Sequence, residues 1–307
     1  MKFVEKRKDI SEIVDCTFSP YNKPVLSVQP GEQVRIETYD CFANAVTPDK
    51  DLAQVLRSGA KLYDNPVTGP IHVEGATKGD TLVVEIVDIE VPDRGLTTVV
   101  PGFGALEGWL STSPPLTKFS VIRNGRITYR TDDGREISFP VKPFIGTIGV
   151  APPAESISTI SPYKHGGNMD VADVCKGNKL LLPVGVDGAL FAAGDVHAAQ
   201  GDGEICGTGV EIPAILTFKF DVLKGKKIEW PRIESPQEIM TAASARPLED
   251  AARQAFRELI NWLHEDYGFS PYDAYMLLSL TANARIAQIV DPLFTVVAKL
   301  PKEYLHE

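Results

Sequence analysis

The chain has 307 residues, 43% of them hydrophobic and 23% charged, with a formal net charge of −10 at neutral pH. This is the balance of a folded globular protein, which excludes a disordered or fibrous one. The excess of carboxylates argues against nucleic-acid or anionic-membrane partners, which need a basic surface, and leaves a small neutral or cationic ligand as the expected partner.

The length exceeds what a single core comfortably fills, so a β-rich body with an appendage, or two domains, is expected. No apolar run approaches the ~18 residues of a membrane-spanning helix. The opening "MKFVEKRKDISEIVDC" carries charge throughout instead of a basic stretch followed by an apolar one, so a secretory leader is not expected and a cytoplasmic location is. Cys16, Cys41, Cys175 and Cys206 are widely spaced with no CxxC pair. Neither a disulfide framework nor a cysteine-rich zinc site is indicated.

From about residue 10 to 235 short extended runs alternate with Gly, Pro, Asn and Asp. "EQVRIETYD" sets Val34, Ile36 and Thr38 against Arg35, Glu37 and Tyr39, the period of a half-buried strand that delivers Asp40 at its end. "DKDLAQVLRSG" reads as a short helix, and "DTLVVEIVDIEV" as a second strand. "PGFGALEGW" puts Phe103 and Trp109 on a loop suited to a pocket wall or lid. "FSVIRNGRITYR" is two β-prone runs joined by Asn124-Gly125, which suits the positive φ angles of a type I′ turn and predicts a hairpin. "GVEIPAILTFKF" reads as one more strand. Strands without long intervening helices predict a mainly β fold with an antiparallel sandwich or barrel-like core.

The texture changes after about residue 235. "RPLEDAARQAFRELINWLHEDY" carries Ala252, Ala255, Phe256, Leu259, Trp262 and Leu263 at helical spacing. "SPYDAYMLLSLTANARIAQIV" opens with Ser270 as N-cap and Pro271 at the first helical position, and Gly268 marks the turn between the two. A C-terminal αα-hairpin packed on the β region follows, with a β-rich catalytic core over 1–235 and a helical portion over 236–307.

Chemistry concentrates in "GDVHAAQGDGEICGTGVE", residues 194–211. In extended chain Asp195 and His197 project to one face, and the turn Gly201-Asp202-Gly203 brings Glu204 back toward them. One imidazole with carboxylates suits a divalent ion such as Zn²⁺; a hydrogen-bonded His in a surface turn would use the same residues. Cys206 offers a nucleophile if a base or cation activates it, and otherwise is a small buried residue. "HGGNMD" gathers His165, Asn168 and Asp170, with Asn168 supplying both donor and acceptor for an amide. "TYDCFANAV" sets Asp40, Cys41 and Asn44 just past a strand end.

Taken together, "GDVHAAQGDGEICGTGVE", "HGGNMD" and "ETYDCF" resemble the acetamidase/formamidase family, and "GDTLVVEIVDIEV", "GFG" and "APPAE" extend the likeness over most of the chain. The resemblance implies hydrolysis of short aliphatic amides such as formamide and acetamide to a carboxylate and ammonia, in a mainly β fold with helices, as a homodimer. It carries Asp40, Asp195 and His197 forward as ligands of a divalent metal, zinc first and calcium or another divalent ion otherwise. Glu204, Asp202 and His165 become candidate catalytic residues, with Glu204 as the proton shuttle. Asn168, Asp170 and Phe103 become candidate substrate contacts. After Asp40-Cys41-Phe42 the sequence departs from the family pattern at Ala43-Asn44-Ala45. A β-sandwich that binds a small ligand or metal without turning it over, or an amide hydrolase using Cys206, are the alternative readings.

Overall fold

A computed structural model of the chain describes residues 1–4, 16–110 and 113–305. Most of the opening segment read above as lacking a leader, residues 5–15, lies outside the described residues, as does His306. Two large sheets face one another. The first has nine strands and runs, edge to edge, through Lys2–Val4, Gln33–Thr38, Ala214–Leu223, Thr81–Glu90, Lys179–Pro183, Arg232–Glu234, Glu238–Ala245, Phe294–Pro301 and Asn283–Gln288. The second has ten and includes Arg94–Val99, Glu211–Ile212, Phe191–His197, Phe144–Gly149 and Gly166–Asn168 as successive neighbours. Pairing is antiparallel except where Lys2–Val4 joins Gln33–Thr38 and Leu26–Val28 joins Val67–Val73.

The alternation seen in sequence sets which face is wet. In Gln33–Thr38 the buried positions are Val34, Ile36 and Thr38, and in Thr81–Glu90 they include Leu82, Val84 and Ile86. These side chains meet those of the second sheet, Ile145, Ile148, Phe191 and Val196 among them, in one continuous core. Phe191 stands edge-on to Phe218 and Phe220 of the first sheet at centroid separations of 5.1 and 5.0 Å, which seals the two sheets at the middle. The expected hairpin joins Leu116–Arg123 to Arg126–Arg130 through Asn124 at φ 52° and Gly125 at φ 71°, the left-handed pair that a type I′ turn requires.

The helices Leu248–Tyr267 and Pro271–Thr281 form the expected C-terminal hairpin, with Ser270 Oγ accepting from the backbone N–H of Asp273 as the second helix's cap. They cover the outer face of the first sheet: Ala251, Ala255, Leu259 and Leu263 pack on Ile239, Ala243, Val296, Ala298 and Leu300. Because side chains alternate along a strand, Met240, Ala242 and Val297 from the same two strands point the other way, into the inter-sheet core. The stretch beyond residue 235 is therefore not helical alone, since it adds three strands to the nine-stranded sheet. The second helix also stops at Thr281, and "NARIAQ", read above as helix, becomes an edge strand paired with Phe294–Pro301. A free sheet edge offers those backbone groups a ladder, and tertiary pairing overrides a weak local preference.

The segment "GVEIPAILTFKF" also differs from its reading as one strand. Pro213, with no N–H to give to a ladder, breaks it into Glu211–Ile212 in the second sheet and Ala214–Leu223 in the first.

Candidate active site

Three strands of the second sheet converge on His197. The ring is 1% exposed and stands edge-on to Phe144 at 5.0 Å. Glu211 lies opposite His197 across the antiparallel pair Phe191–His197 and Glu211–Ile212, and directly opposed residues share a face. Glu211 Oε2 is 3.0 Å and Asp195 Oδ1 3.3 Å from His197 Nε2. Asp195 does not reach the ring through a plain pleat: its φ is 52°, a kink in the strand beside Gly146. Gly146 is what permits the kink, because a Cβ there would lie 2.5 Å from Asp170 Oδ1 and 2.8 Å from Asp195 Oδ2. Asp170 (φ 51°) and Glu204 (φ 46°) also hold left-handed backbone, at a cost of about 1–3 kcal/mol each that the surrounding packing must offset.

The other side of the ring fixes its tautomer. The Gln200 amide nitrogen donates to the carbonyls of Ala287 at 3.1 Å and Asp170 at 3.4 Å, which turns Oε1 toward His197 Nδ1 at 2.7 Å. Nδ1 is then the donor, and Nε2 faces the two carboxylates. Burial works against charge on this ring, but Glu211 and Asp195 outweigh it and hold its proton well above the ordinary His range.

Around this centre buried acids accumulate. Asp170, Asp195, Glu204, Glu211 and Asp291 are each at least nine-tenths buried. Burial raises Glu204 well above the usual carboxyl range, with Asp170 adding to it, and burial then Asp170 and Asp195 do the same to Asp291. Burial pushes Asp170 up to about 7. Hydrogen bonds fix the Asp195 side chain: Asn65 Nδ2 donates to its Oδ2 at 2.9 Å, and the Thr147 hydroxyl stands 3.0 Å from that oxygen and 2.6 Å from Asn168 Oδ1. Asn168 Nδ2 in turn donates to Asp291 Oδ2 at 2.9 Å.

These groups open on a cavity of about 300 Å³, whose polar floor holds Asn168, Asp195, His197, Glu204, Glu211 and Asp291 and whose walls include Phe42, Leu52, Leu62, Val100 and Phe103. That size sits at the small end of ligand pockets. Among the described residues its lining contains neither Lys nor Arg.

Five buried carboxylates beside a single imidazole need protons or a cation. Among the described residues both oxygens of Asp170 are buried with no N–H or hydroxyl donor, Oε2 of Glu211 faces His197 Nε2, and ligand atoms fall within 4.8 Å of one another in three groupings: Asp170, Asp195 and His197; His197, Glu204 and Glu211; and Cys41, Asp195 and Glu211. The arrangement that draws a proton to Nε2 fits a divalent cation in the proton's place, with Gln200 as the outer partner that metal-binding imidazoles usually have. Burial, with Glu211, Asp195 and Asp40 beside it, raises the Cys41 thiol well above its ordinary value.

Not every expected residue joins this centre. Asp40 Oδ1 instead accepts from the backbone N–H groups of Phe42 at 3.0 Å and Asn44 at 2.7 Å, closing the turn after its strand. It belongs to none of the three groupings, and Glu211 stands at His197 where Asp40 was expected. Asp202 points outward to a surface pair with Arg285, because Gly203 at φ 86° and Glu204 at φ 46° leave the extended path on which residues two apart would share a face. Glu204 takes the inward side. His165 lines a different cavity, edge-on to Phe18, and burial lowers its pKa to about 4. Asn168, Phe103, Asp195, His197 and Glu204 line the cavity, and Asp170 lies behind them against Gly146. Cys206 gives its thiol hydrogen to the Thr208 carbonyl at 3.3 Å. Sequence reading missed Glu211, Asp291, Asn65, Thr147 and Gln200; only Gln200 and Glu211 lay inside or at the edge of a motif already singled out.

With this geometry in view, similarity to known proteins is informative. The family model described as the Acetamidase/Formamidase family matches residues 5–157 and 153–306. Among solved structures, an acetamidase from Bacillus halodurans is 38% identical with a TM-score of 0.88, the match covering 98% of each chain. One from Yersinia enterocolitica is 37% identical with a TM-score of 0.90, covering 100% of this chain and 93% of that one. An acetamidase from Mycolicibacterium smegmatis is 27% identical over 65% of this chain, and the match spans only 63% of that longer protein.

Proposed function

The chain belongs to the acetamidase/formamidase family, and from that premise we propose that its 300 Å³ cavity hydrolyses short aliphatic primary amides, formamide and acetamide among them, to a carboxylate and ammonia. The observation that carries this reading is the buried Glu204, its carboxyl raised by burial, in the same small cavity as the His197–Asp195–Glu211 centre.

An unactivated amide resists water because resonance makes its carbonyl a poor electrophile and an amide anion is a poor leaving group. His197 Nε2, Asp195 and Glu211 would hold a divalent cation, which supplies Lewis acidity toward water and carbonyl oxygen when bound. One imidazole with carboxylates suits zinc better than calcium, which takes six to eight oxygens. Glu204 accepts a proton as water attacks and returns it to the departing nitrogen in the same turnover, and burial, which raises its carboxyl above the usual range, makes it the stronger base for the first step. Asn168 is fixed by Thr147 and Asp291 and retains one amide N–H to orient the substrate. Phe103 and Leu52 close the apolar wall that limits the acyl chain. The exposed Tyr272, Tyr275, Met276 and Leu280 on the second helix support a homodimer as part of the same reading, and single, unclustered cysteines fit a reducing cytoplasm.

The test is ammonia release from a panel of formamide, acetamide, propionamide and urea, with enzyme that is metal-loaded or chelated and checked by elemental analysis. Release from the shortest amides, lost on chelation, is expected. Amides that saturate the protein in calorimetry without ammonia would make it a binder, and equal rates without metal would remove the cation from the reaction.

A further inference from the structure

His165 and Arg232 raise a question that the amide reaction does not absorb. Both line a second cavity of about 710 Å³, which shares no lining residue with the active-site cavity. Both are buried, at 4% and 1% exposure, and both are incompletely partnered: neither ring nitrogen of His165 has a hydrogen-bond partner, and nor does Arg232 Nη1. Buried polar groups are seldom left so unless water or a ligand completes them.

The unmet capacity has a definite sign. Of the carboxylates in the wall, the three beside Arg232 and Lys164 are already held by cations, and Glu155 is exposed to solvent. Glu258 accepts from Arg232 Nε at 2.8 Å, Glu265 lies 3.2 Å from Lys226 and 3.3 Å from Arg232 Nη2, and Glu229 bridges Lys164 and Arg257 at 2.5 and 2.6 Å. What stays open is donor capacity: the Nη1 edge of Arg232, the single N–H of a neutral His165, and the ammonium of the exposed Lys227 in the same lining. A guanidinium edge is matched by a planar acceptor of two oxygens. Pro152, Pro153, Pro183 and Val184 supply an apolar wall beside it.

The geometry points to a second binding site, distinct from the active-site cavity, for a small carboxylate bearing a short aliphatic tail. Its donors come from Arg232 and His165, and Glu258 holds the guanidinium in place from its other edge. That this is also the class of acid released from an amide rests on the reading proposed above; the binding itself does not.

Tryptophan reports on it conveniently. The chain has three. The Arg232 guanidinium lies over Trp262 at 5.1 Å, Lys164 lies over Trp230 at 5.7 Å, and the Trp230 indole N–H is itself buried without a partner, whereas Trp109 stands on an exposed loop. Purified full-length protein labelled with ¹⁵N-tryptophan is titrated with sodium acetate and sodium butyrate at constant ionic strength, and with acetamide in parallel. Saturable shifts of the Trp230 and Trp262 indole signals by the carboxylates are expected, with Trp109 unmoved. They should vanish in R232M/E258L, a paired apolar replacement that leaves no orphan charge, and weaken in H165F, which keeps the packing on Phe18 should the double variant not fold. No saturable shift, a shift by acetamide alone, or shifts unchanged in both variants would overturn the proposal. The readout involves no turnover, so its failure leaves amide hydrolysis standing, and absence of ammonia release leaves this site standing.

Discussion

Replacing Gln200 by Leu should weaken divalent-metal binding without unfolding the protein. Gln200 is half-buried and makes three hydrogen bonds, to His197 Nδ1 at 2.7 Å and to the carbonyls of Ala287 and Asp170 at 3.1 and 3.4 Å. Leucine keeps the volume and removes all three. The buried imidazole N–H then has no acceptor, a desolvation cost of about 1–3 kcal/mol. Nothing then keeps that hydrogen on Nδ1, so the tautomer that presents the Nε2 lone pair loses its preference. Losing the outer partner of a metal-binding imidazole weakens affinity about 10–100-fold, equivalent to about 1.4–2.8 kcal/mol. Competition with a chromophoric chelator measures the zinc dissociation constant directly, and thermal unfolding of the chelated forms separates a site effect from a fold effect. Gln200→Glu retains an acceptor facing Nδ1 and should bind within a few-fold of the parent. If Gln200→Leu binds zinc as tightly as the parent while Asp195→Asn does not, the assignment of His197's tautomer to Gln200 is wrong.

Other expectations follow from the same centre. Glu204→Gln should keep its metal and its melting temperature but lose at least about a hundredfold in turnover, the lower end of proton-transfer contributions; steady-state ammonia release with metal analysis decides it. Gly146→Ala should lower both metal affinity and turnover, because its Cβ would sit 2.5 Å from Asp170 Oδ1 and 2.8 Å from Asp195 Oδ2, and a variant with parental affinity would show that the two carboxylates can move at no cost. Burial raises Asp40 and Asp170 from an ordinary 3.8 to about 7. Between those values the folded metal-free chain holds protons that the unfolded chain has released. Its stability is greatest below the lower value and is lost as pH rises through the upper one. Melting of chelated protein from about pH 5 to about pH 8 should fall, and saturating zinc should flatten the profile; a rise without metal would contradict the burial of these acids. Cys206→Ala should retain most activity, since its thiol only donates to Thr208; inactivity with a trappable acyl-thioester on the parent would restore the cysteine mechanism.

Much of the centre lay open in one stretch of sequence. Asp195 and His197 at two-residue spacing share one close grouping, and Glu204 after a glycine turn shares another with His197. Within that stretch, however, spacing did not separate Asp202 from Glu204, since the left-handed backbone at Gly203 and Glu204 turns them apart where Gly203 is bonded to Ile286 and Ala287, far along the chain. Asp40, at the end of a correctly read strand, caps its own turn. Nothing local distinguishes a carboxylate that accepts two backbone N–H groups from one that faces a cavity, because both uses favour Asp just past a strand.

The sequence by itself determined local structure where short-range signals were strong, because those depend on chain neighbours. Alternating apolar residues made strands, Asn124-Gly125 made the hairpin, and Ser270-Pro271 started the last helix. It also placed glycines and acids contiguously around His197, where the candidate centre lies. Only the tertiary structure decided which acids complete the centre. Glu211 comes to His197 through the register of two strands after Pro213 moves the chain between sheets, and Asp291 comes through the edge strand that replaces an expected helix. Register and sheet order arise from contacts between segments far apart in the chain, and a pattern confined to one segment carries no record of its partner.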